Sequence, residues 1–345
     1  MPWPQTLIAA ILAALLAAAG AGCGEEGESG AGDPDAPSGA EGITVYSGRI
    51  PPEIGPLIDL YEQRSGKDIE VRFGETAALA AQIVEEGENS PADVFFAQDA
   101  GALGAIEAEG RFEQLPAATL ERVPARFRSR AGEWVGTSGR ARVIAYGEDV
   151  DPDDLPDSVL DLTGEEWQGR VGWAPINGSF QAFITAMRLT EGEDVARDFV
   201  EGMLANGVQP YENNIAIRDA IAAGEIDVGL INHYYVAQAK AEDPDYPVEI
   251  HFPPNDLGSM VNVAGAGVLA GSDQVGEAEA FVDFLLSREA QEFFAGSTEE
   301  YPLIDGVAPD RSLIPLDEIP HPALDLSRID DLEGTLELLQ SSGAL

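Results

Sequence analysis

The chain has 345 residues, enough for one large domain or two lobes, and its formal net charge is −43. A protein this acidic repels nucleic acid and anionic membranes, and we therefore expect neither as a direct partner. The same charge makes copies of the chain repel one another, which predicts a monomer. The acidity fits a saline habitat and an acidic exported protein about equally well.

The first 22 residues predict a secretory signal peptide. The apolar run "LIAAILAALLAAAGAGC" is shorter than the roughly 18 apolar residues expected of a membrane-spanning helix. It ends at Cys23, the only cysteine, in a context that resembles a bacterial lipoprotein cleavage site, where the cysteine is lipidated. The segment before the run has no Lys or Arg, and Gly20 stands where lipoproteins usually carry Leu. An ordinary signal peptide is therefore the alternative.

Residues 23–42 are rich in Gly, Ser, Pro and acidic residues and have no apolar period, which predicts a flexible tether. With a lipid on Cys23, this tether would hold an exported protein at the outer face of the cytoplasmic membrane. Without the lipid, the protein would be periplasmic. In neither case does any other part of the chain need to touch the membrane.

Strands and helices alternate at the start of the folded part. A strand at 43–47 precedes a helix that begins at Pro51-Pro52. Strand "DIEVRFG", helix "ETAALAAQIVEEGENS", strand "ADVFFAQ" and helix "DAGALGAIEAEG" follow. This alternation indicates βαβ units and a parallel sheet.

The pattern changes at "WVGTSGRARVIAYGEDV", which predicts two short β pieces close together. Alternation resumes with strand "GRVGWAPI", three helices and strand "IDVGLI". Later come "PVEIHFPP", the Gly-rich strand "MVNVAGAGVLAG", one long helix "EAEAFVDFLLSREAQEFFAGS" and a final helix near the C-terminus.

Two α/β sets joined by β segments near 137–146 and 258–270 predict an α/β fold of two lobes with a double β crossover as hinge. We assign residues 43–140 plus about 262–300 to the N-lobe, and about 141–261 plus 301–345 to the C-lobe. Ligands in such sheets bind at the carboxyl ends of strands, which here would face a cleft between the lobes.

The sequence contains no motif that argues for an enzyme. It lacks G-x-S-x-G, a P-loop and H-E-x-x-H, and its three histidines are scattered. The segment "GAGVLA" fits a dinucleotide fingerprint but lies in a strand-like run with no helix directly after it. We therefore predict a binding protein.

Tyr234 and Tyr235 lie side by side after the buried strand "IDVGLI". Neighbouring side chains in a strand point to opposite faces, so the two phenols serve one ligand only if the chain turns here. Calcium and magnesium prefer carboxylates, and zinc prefers nitrogen and sulfur. Ferric iron is the metal that best suits paired phenolates. From the dipeptide alone, packing is the commoner explanation.

Four segments, "SPADVFFAQDAGAL", "SGRARVIAYG", "GEIDVGLINHYY" and "EYPL", together resemble the ferric ion-binding proteins of bacterial iron ABC transporters. The resemblance runs from about residue 43 to the C-terminus. It implies a two-lobed, type II periplasmic-binding-protein fold. It also implies capture of Fe³⁺ with a synergistic anion, carbonate or bicarbonate, and delivery to an ABC permease and its ATPase.

The resemblance also implies roles for single residues. Tyr234, Tyr235 and Tyr146 match metal ligands of the family, and Arg140 and Arg142 match positions that hold the anion. Other matching positions support the anion or the ligands: Asn214, Asn232, Gly178 and Ser179. His233 directly precedes the pair, so we expect it to support the ligands or to cap the helix, with coordination of the metal as the alternative.

Two positions depart from the family pattern. Ile50 and Gln98 stand where some members carry a metal ligand, and Gln98 is left to support the site without coordinating. Arg49, near the first helix start, is either a further anion contact or a solvated arginine. On the same fold, an organic or oxyanion ligand such as a phosphonate or polyamine is the alternative to iron.

Overall fold

The computed structural model describes residues 42–322 and 324–345. The predicted signal peptide, Cys23 and nearly all of the predicted tether lie outside the described residues. The described residues belong to one compact unit. None of the helices in this part of the chain is long and apolar enough to cross a membrane.

The strands and helices follow the predicted alternation through most of the chain. The strands are β1 (Ile43–Ser47), β2 (Ile69–Phe73), β3 (Val94–Ala97), β4 (Val135–Gly147), β5 (Val171–Trp173), β6 (Gln209–Pro210), β7 (Val228–Asn232), β8 (Val248–His251), β9 (Val261–Val268) and β10 (Tyr301–Pro302). The helices are α1 (Pro51–Ser65), α2 (Thr76–Glu86), α3 (Ala100–Ala108), α4 (Ala117–Leu120), α5 (Gly178–Thr190), α6 (Glu193–Ala205), α7 (Asn214–Ala222), α8 (Tyr234–Glu242), α9 (Val275–Leu285), α10 (Arg288–Ser297) and α11 (Leu332–Ser342).

The strands form a mixed sheet in the order β2-β1-β3-β9-β4-β7-β5-β6, with β8 and β10 also paired to β4. The predicted parallel βαβ units are present, since β1 pairs in parallel with β2 and β3, and β5 with β6 and β7. Strands β4 and β9 run antiparallel to their neighbours.

Strand β4 is one continuous strand of 13 residues, so the prediction of two β pieces was wrong. Polar residues interrupt the apolar run in the sequence, but nearly all of the strand is buried. It changes partners part-way along: up to Ala141 it pairs with β9, and from Arg142 onward it pairs with β7 and then β8. Because β4 stays hydrogen-bonded to one neighbouring strand or another along its whole length, it continues unbroken through the predicted hinge. The exact lobe boundaries stay a prediction.

The predicted single helix after β9 is two helices, α9 and α10. The break falls where Ser287 caps α10, its hydroxyl accepting the backbone N–H of Ala290 at 3.2 Å. The apolar stripe continues through both helices, which is why periodicity alone did not show the break.

The C-terminal segment packs against elements from both halves of the sheet. Helix α11 lies against α5 and α6, while the turn before it lies against α3. A Cβ atom at Gly101 of α3 would lie 2.7 Å from the Ile329 carbonyl oxygen, so this approach requires glycine.

Candidate metal and anion site

Tyr234 and Tyr235 occupy the first turn of α8, directly after β7 ends at Asn232. Their ring centroids are 4.2 Å apart, with the planes inclined by 35°. Tyr234 is buried and Tyr235 is half-buried. The chain therefore turns from strand to helix at the pair, as two phenols facing one ligand require.

Tyr234 is a neutral phenol when no metal is bound. Burial raises its pKa well above the usual value, and the neighbouring Tyr235 raises it further, while Arg140 opposes this. A cation that binds this oxygen as phenolate must displace its proton. That requirement favours a strong Lewis acid.

His233 directly precedes the pair and is buried. Its Nδ1 accepts the backbone N–H of Ala141 at 3.2 Å, so its Nε2 donates to the Glu299 carbonyl, 3.0 Å away. Both ring nitrogens are thus occupied. Burial lowers the pKa of His233 to about 4, which keeps the ring neutral. The ring stacks on Tyr301, with 4.6 Å between centroids, and meets Tyr234 edge-on.

Arg49 is buried, which rules out the solvated alternative. Its Nη2 lies 3.0 Å from Glu300 and 3.2 Å from Glu53. Burial works against its charge, but these two carboxylates outweigh that and raise its pKa. Its Nη1 has no partner among the described residues.

Glu300 lies between Arg49 and Arg140, and nothing in the sequence around it except its place beside "YPL" pointed to this role. Besides Arg49, it accepts hydrogen bonds from the hydroxyls of Ser138 at 3.0 Å and Thr298 at 3.1 Å. Its other carboxylate oxygen lies 3.9 Å from Nε of Arg140. Buried acids next to arginines are visible only once the fold brings residues 49, 140 and 300 together.

Arg142 is buried without an acidic partner among the described residues. Its Nη1 donates to the Ser179 hydroxyl at 3.3 Å and its Nη2 to the Leu230 carbonyl at 2.9 Å. Its guanidinium lies over the rings of Phe180 and Phe183 at 5.4 and 5.3 Å. Burial lowers its pKa to about 9, although the two tyrosines oppose this, so it is still charged at neutral pH.

All three arginines act electrostatically on Tyr234. Arg140 and Arg142 also line a small cavity, described by its six lining residues: Arg140, Arg142, Ser179, Asn232, Met260 and Asn262. Its volume of about 10 Å³ holds one water-sized group.

Tyr146 does not lie with the pair. Along β4 and β7, Arg142 is opposite Asn232, whereas Tyr146 is opposite Val228 at the other end of β7. Four residues of strand separate Tyr146 from Arg142, roughly 13 Å along the backbone. Tyr146 instead lies opposite Glu249 of β8. The match to "RVxxY" predicted Tyr146 as a ligand from sequence spacing alone, but beyond Arg142 strand β4 leads away from Tyr234 and Tyr235.

A larger cleft of about 650 Å³ lies beside the cluster. The N-terminal ends of α2, α3 and α5 and the residues just before α7 line it, among them Gln98, Asp99, Gly178 and Ser179. In the orientation that gives hydrogen bonds to both amide atoms of Gln98, its oxygen accepts from Nη1 of Arg140 at 3.1 Å and its NH₂ group donates to the Gly48 carbonyl. The side chain of Ile50 is 52% exposed and has no atom that could bind a metal.

Asn214, at the first position of α7, is buried, and neither atom of its amide has a partner among the described residues. Such an amide is expected to meet a ligand or water. In the described part of the chain, no three His, Cys, Asp or Glu residues are grouped to hold a metal.

Comparison with known proteins identifies the family of this chain. A sequence profile of the bacterial extracellular solute-binding proteins matches residues 89–317. An Fe(3+)-binding periplasmic protein of Serratia marcescens is 31% identical over 90% of this chain and 93% of its own. The chain belongs to the ferric ion-binding proteins of this family.

Solved structures of the family share the fold. Iron-bound HitA from Pseudomonas aeruginosa superposes with a TM-score of 0.83 at 33% identity, covering 87% of this chain and 99% of that one. A Trichodesmium protein (IdiA, FutA) in complex with iron and citrate ligands gives a TM-score of 0.76 at 30% identity, covering 88% and 99%. The predicted α/β periplasmic-binding-protein fold is confirmed. The relatives are solute-binding transport proteins, so the prediction of a non-enzyme is confirmed too.

Proposed function

We propose that this ferric ion-binding protein captures Fe³⁺ through the phenolates of Tyr234 and Tyr235. The observation that carries the proposal is the close pair of phenols, 4.2 Å between ring centroids, surrounded by buried positive charge. The names of the relatives support iron as the cargo.

Charge balance supports a dianion as the companion of the metal. Arg49, Arg140 and Arg142 face the two carboxylates of Glu53 and Glu300, which leaves one positive charge. Ferric iron with two phenolates adds another. Carbonate would neutralise the site, and a buried site favours neutrality.

Carbonate or bicarbonate would lie on the cleft side of the pair. The N-terminus of α5 at Gly178 and Ser179 lines the cleft and offers a positive helix end. Arg49 acts electrostatically on Tyr234, and its Nη1 has no partner among the described residues. Arg140 and Arg142 contribute positive charge, since both act electrostatically on Tyr234. Asn232 lines the small cavity with these two arginines, and Asn214 adds a buried amide without a partner among the described residues.

A ferric–citrate chelate is the second candidate cargo. The cleft of about 650 Å³ is much larger than carbonate requires, and one structural neighbour holds iron with citrate. A polyamine is disfavoured, because three buried arginines repel a polycation. A phosphonate would bind to the arginines without any metal.

The test begins with elemental analysis of protein purified without chelators. One iron per chain supports the proposal, and no iron after incubation with ferric citrate contradicts it. Iron-loaded protein is then prepared in carbonate-free buffer, with bicarbonate or citrate added back. A visible absorption band that forms with bicarbonate alone assigns the anion, and a band that needs citrate assigns the chelate. Calorimetric binding of a phosphonate to iron-free protein would instead support the oxyanion alternative.

We further propose that the protein delivers iron to an ABC permease and its ATPase. It would do so from the outer face of the cytoplasmic membrane, held by a lipid on Cys23, or from the periplasm. Mass spectrometry of the mature N-terminus distinguishes a diacylglyceryl-Cys23 from an unmodified one.

A further inference from the structure

The cleft of about 650 Å³ runs along helix α5. Ser179, Ala182 and Thr185 line it, and their spacing places them on one face of the helix. At one end the Ser179 hydroxyl accepts a hydrogen bond from Arg142 at 3.3 Å, and at the other end the hydroxyls of Thr185 and Thr335 are 2.7 Å apart. Six residues of helix span roughly 9 Å. The cleft therefore leads from the buried arginines towards the C-terminal helix, α11.

The end of the cleft at α11 is apolar. Small side chains of α3 and α5 line it on two sides, and the C-terminal segment forms a third wall with Ile329, Leu332 and Leu336. Ile329 is buried, and the two leucines are half-buried. Arg188 of α5 donates to the Asp331 carbonyl at 3.1 Å and to the Asp331 carboxylate at 2.8 Å. The apolar wall is therefore held against α5 by contacts of its own.

The side chains around the cleft carry negative charge. Glu75, Asp99 and Glu212 line it, and in the described part of the chain no Lys or Arg does. Asp99 also caps the N-terminus of α3 and offsets the positive end of that helix. A ligand with carboxylates beyond those on the metal would place them against these acids, and like charges in contact weaken binding. The lining therefore favours a ligand whose body is uncharged.

Volume and charge balance define the ligand further. Clefts of about 300–1,000 Å³ take drug-sized molecules, and carbonate would fill only a small part of this one. Arg49, Arg140 and Arg142 face the carboxylates of Glu53 and Glu300, which leaves one positive charge, and ferric iron with two phenolates adds another. A catecholate supplies two negative charges through adjacent oxygens, as carbonate would, and attaches them to an aromatic ring. It is therefore a matching dianion that can carry an apolar body.

We propose that the site binds Fe³⁺ together with a catechol-type chelator, whose uncharged apolar body lies along α5 and reaches Leu332 and Leu336. The catechol would lose both protons to solvent and coordinate the metal in place of carbonate. This inference rests on the proposed capture of iron by Tyr234 and Tyr235, and it names the chemical class that completes the metal shell.

Three catechols that differ only in their side arm test the proposal. They are catechol itself, propylcatechol, and dihydrocaffeate, in which a carboxylate replaces the terminal methyl group of propylcatechol. Each is titrated into protein loaded with iron and bicarbonate, and the catecholate-to-iron absorption band gives the half-saturating concentration. Burial of the propyl group should lower that concentration about ten- to fiftyfold relative to catechol. Dihydrocaffeate should gain nothing over catechol, and ultrafiltration should show that the iron stays with the protein.

A matched pair of variants locates the arm. Leu336→Glu places a carboxylate at the apolar end of the cleft, so the preference for propylcatechol over catechol should disappear. Leu332→Glu changes the same wall and should lose the preference too. Leu189→Glu makes the same substitution at an exposed leucine of α5 that does not line the cleft, and its preference should persist.

The outcomes separate this inference from the proposed function. Equal half-saturating concentrations for the three catechols, or tighter binding of dihydrocaffeate than of propylcatechol, would overturn the apolar arm and leave iron capture intact. A preference for propylcatechol that persists in both Leu336→Glu and Leu332→Glu would do the same, and so would catechols that strip the iron from the protein. A protein that takes up no iron with bicarbonate, citrate or any catechol would overturn both.

Discussion

Replacing Glu300 with glutamine tests the charge cluster most severely. One oxygen of Glu300 accepts from Arg49, Ser138 and Thr298, so in Glu300→Gln the amide oxygen must stay there. The new NH₂ group then faces Nε of Arg140, which is itself a donor. The variant loses a buried negative charge and gains a donor opposed to a donor, with little change in volume.

The expected cost follows from this geometry. Breaking a buried ion pair by removing one partner costs about 3–5 kcal/mol, and Glu53 retains part of the pairing to Arg49. We therefore expect about 3 kcal/mol of lost unfolding free energy in urea titrations of iron-free protein. Glu53→Gln is the matched control. Its carboxylate is 15% exposed and, among the described residues, is bonded only to Arg49, so about 1–2 kcal/mol is expected.

The same variant should bind anions more tightly, because the site gains a positive charge. Iron loaded in Glu300→Gln should need less bicarbonate for half-maximal colour than iron loaded in the wild type. An unfolding free energy within about 1 kcal/mol of the wild type, together with an unchanged bicarbonate requirement, would refute the role given to Glu300.

Three further predictions concern stability. His233 has a pKa of about 4 in the folded protein, so it is neutral there. As the pH falls below about 6.5, the unfolded chain takes up a proton on this histidine before the folded protein does. The stability contributed by His233 is therefore fully present above pH 6.5, and the free energy of unfolding falls by about 3 kcal/mol between that pH and pH 4. In urea titrations across that range, His233→Gln should show a shallower decline, and an equal decline would exclude His233 as the source. Gly101→Ala should lower the melting temperature because its Cβ would clash with the Ile329 carbonyl oxygen. Gly276→Ala, which has open space around it, should leave the melting temperature unchanged. Equal melting temperatures for the two variants would mean that the C-terminal segment moves away from α3 at no cost. Ser287→Ala should cost about 1 kcal/mol by calorimetry through loss of the α10 cap, and no loss would contradict the helix break at this residue.

The sequence predicted the alternating part of the fold well, because local patterns decide it. Ile54, Leu57, Ile58 and Tyr61 lie on one helical stripe, and all four are buried. It failed at β4, where the polar Ser138, Arg140 and Arg142 interrupt an apolar run. These side chains are buried in the charge cluster, and no local rule predicts a buried arginine.

In the site as well, features set by neighbouring residues could be predicted, and those set by contacts between distant residues could not. The turn that places Tyr234 and Tyr235 together could be predicted, because a strand ends and a helix begins within two residues. Tyr146 could not be placed, since its distance from the pair depends on the register of β4 against β7. Glu300 was missed because its partners Arg49 and Ser138 lie more than 150 residues away in the chain.

The central claim is that the adjacent phenols bind ferric iron, and the visible charge-transfer band of the iron-loaded protein tests it most directly. We expect the wild type and Tyr146→Phe to form the same band on addition of ferric iron with bicarbonate or citrate, because Tyr146 lies away from the pair. Tyr234→Phe and Tyr235→Phe should each weaken the band, and the double variant should abolish it. An undiminished band in the double variant, or its loss in Tyr146→Phe, would contradict the account.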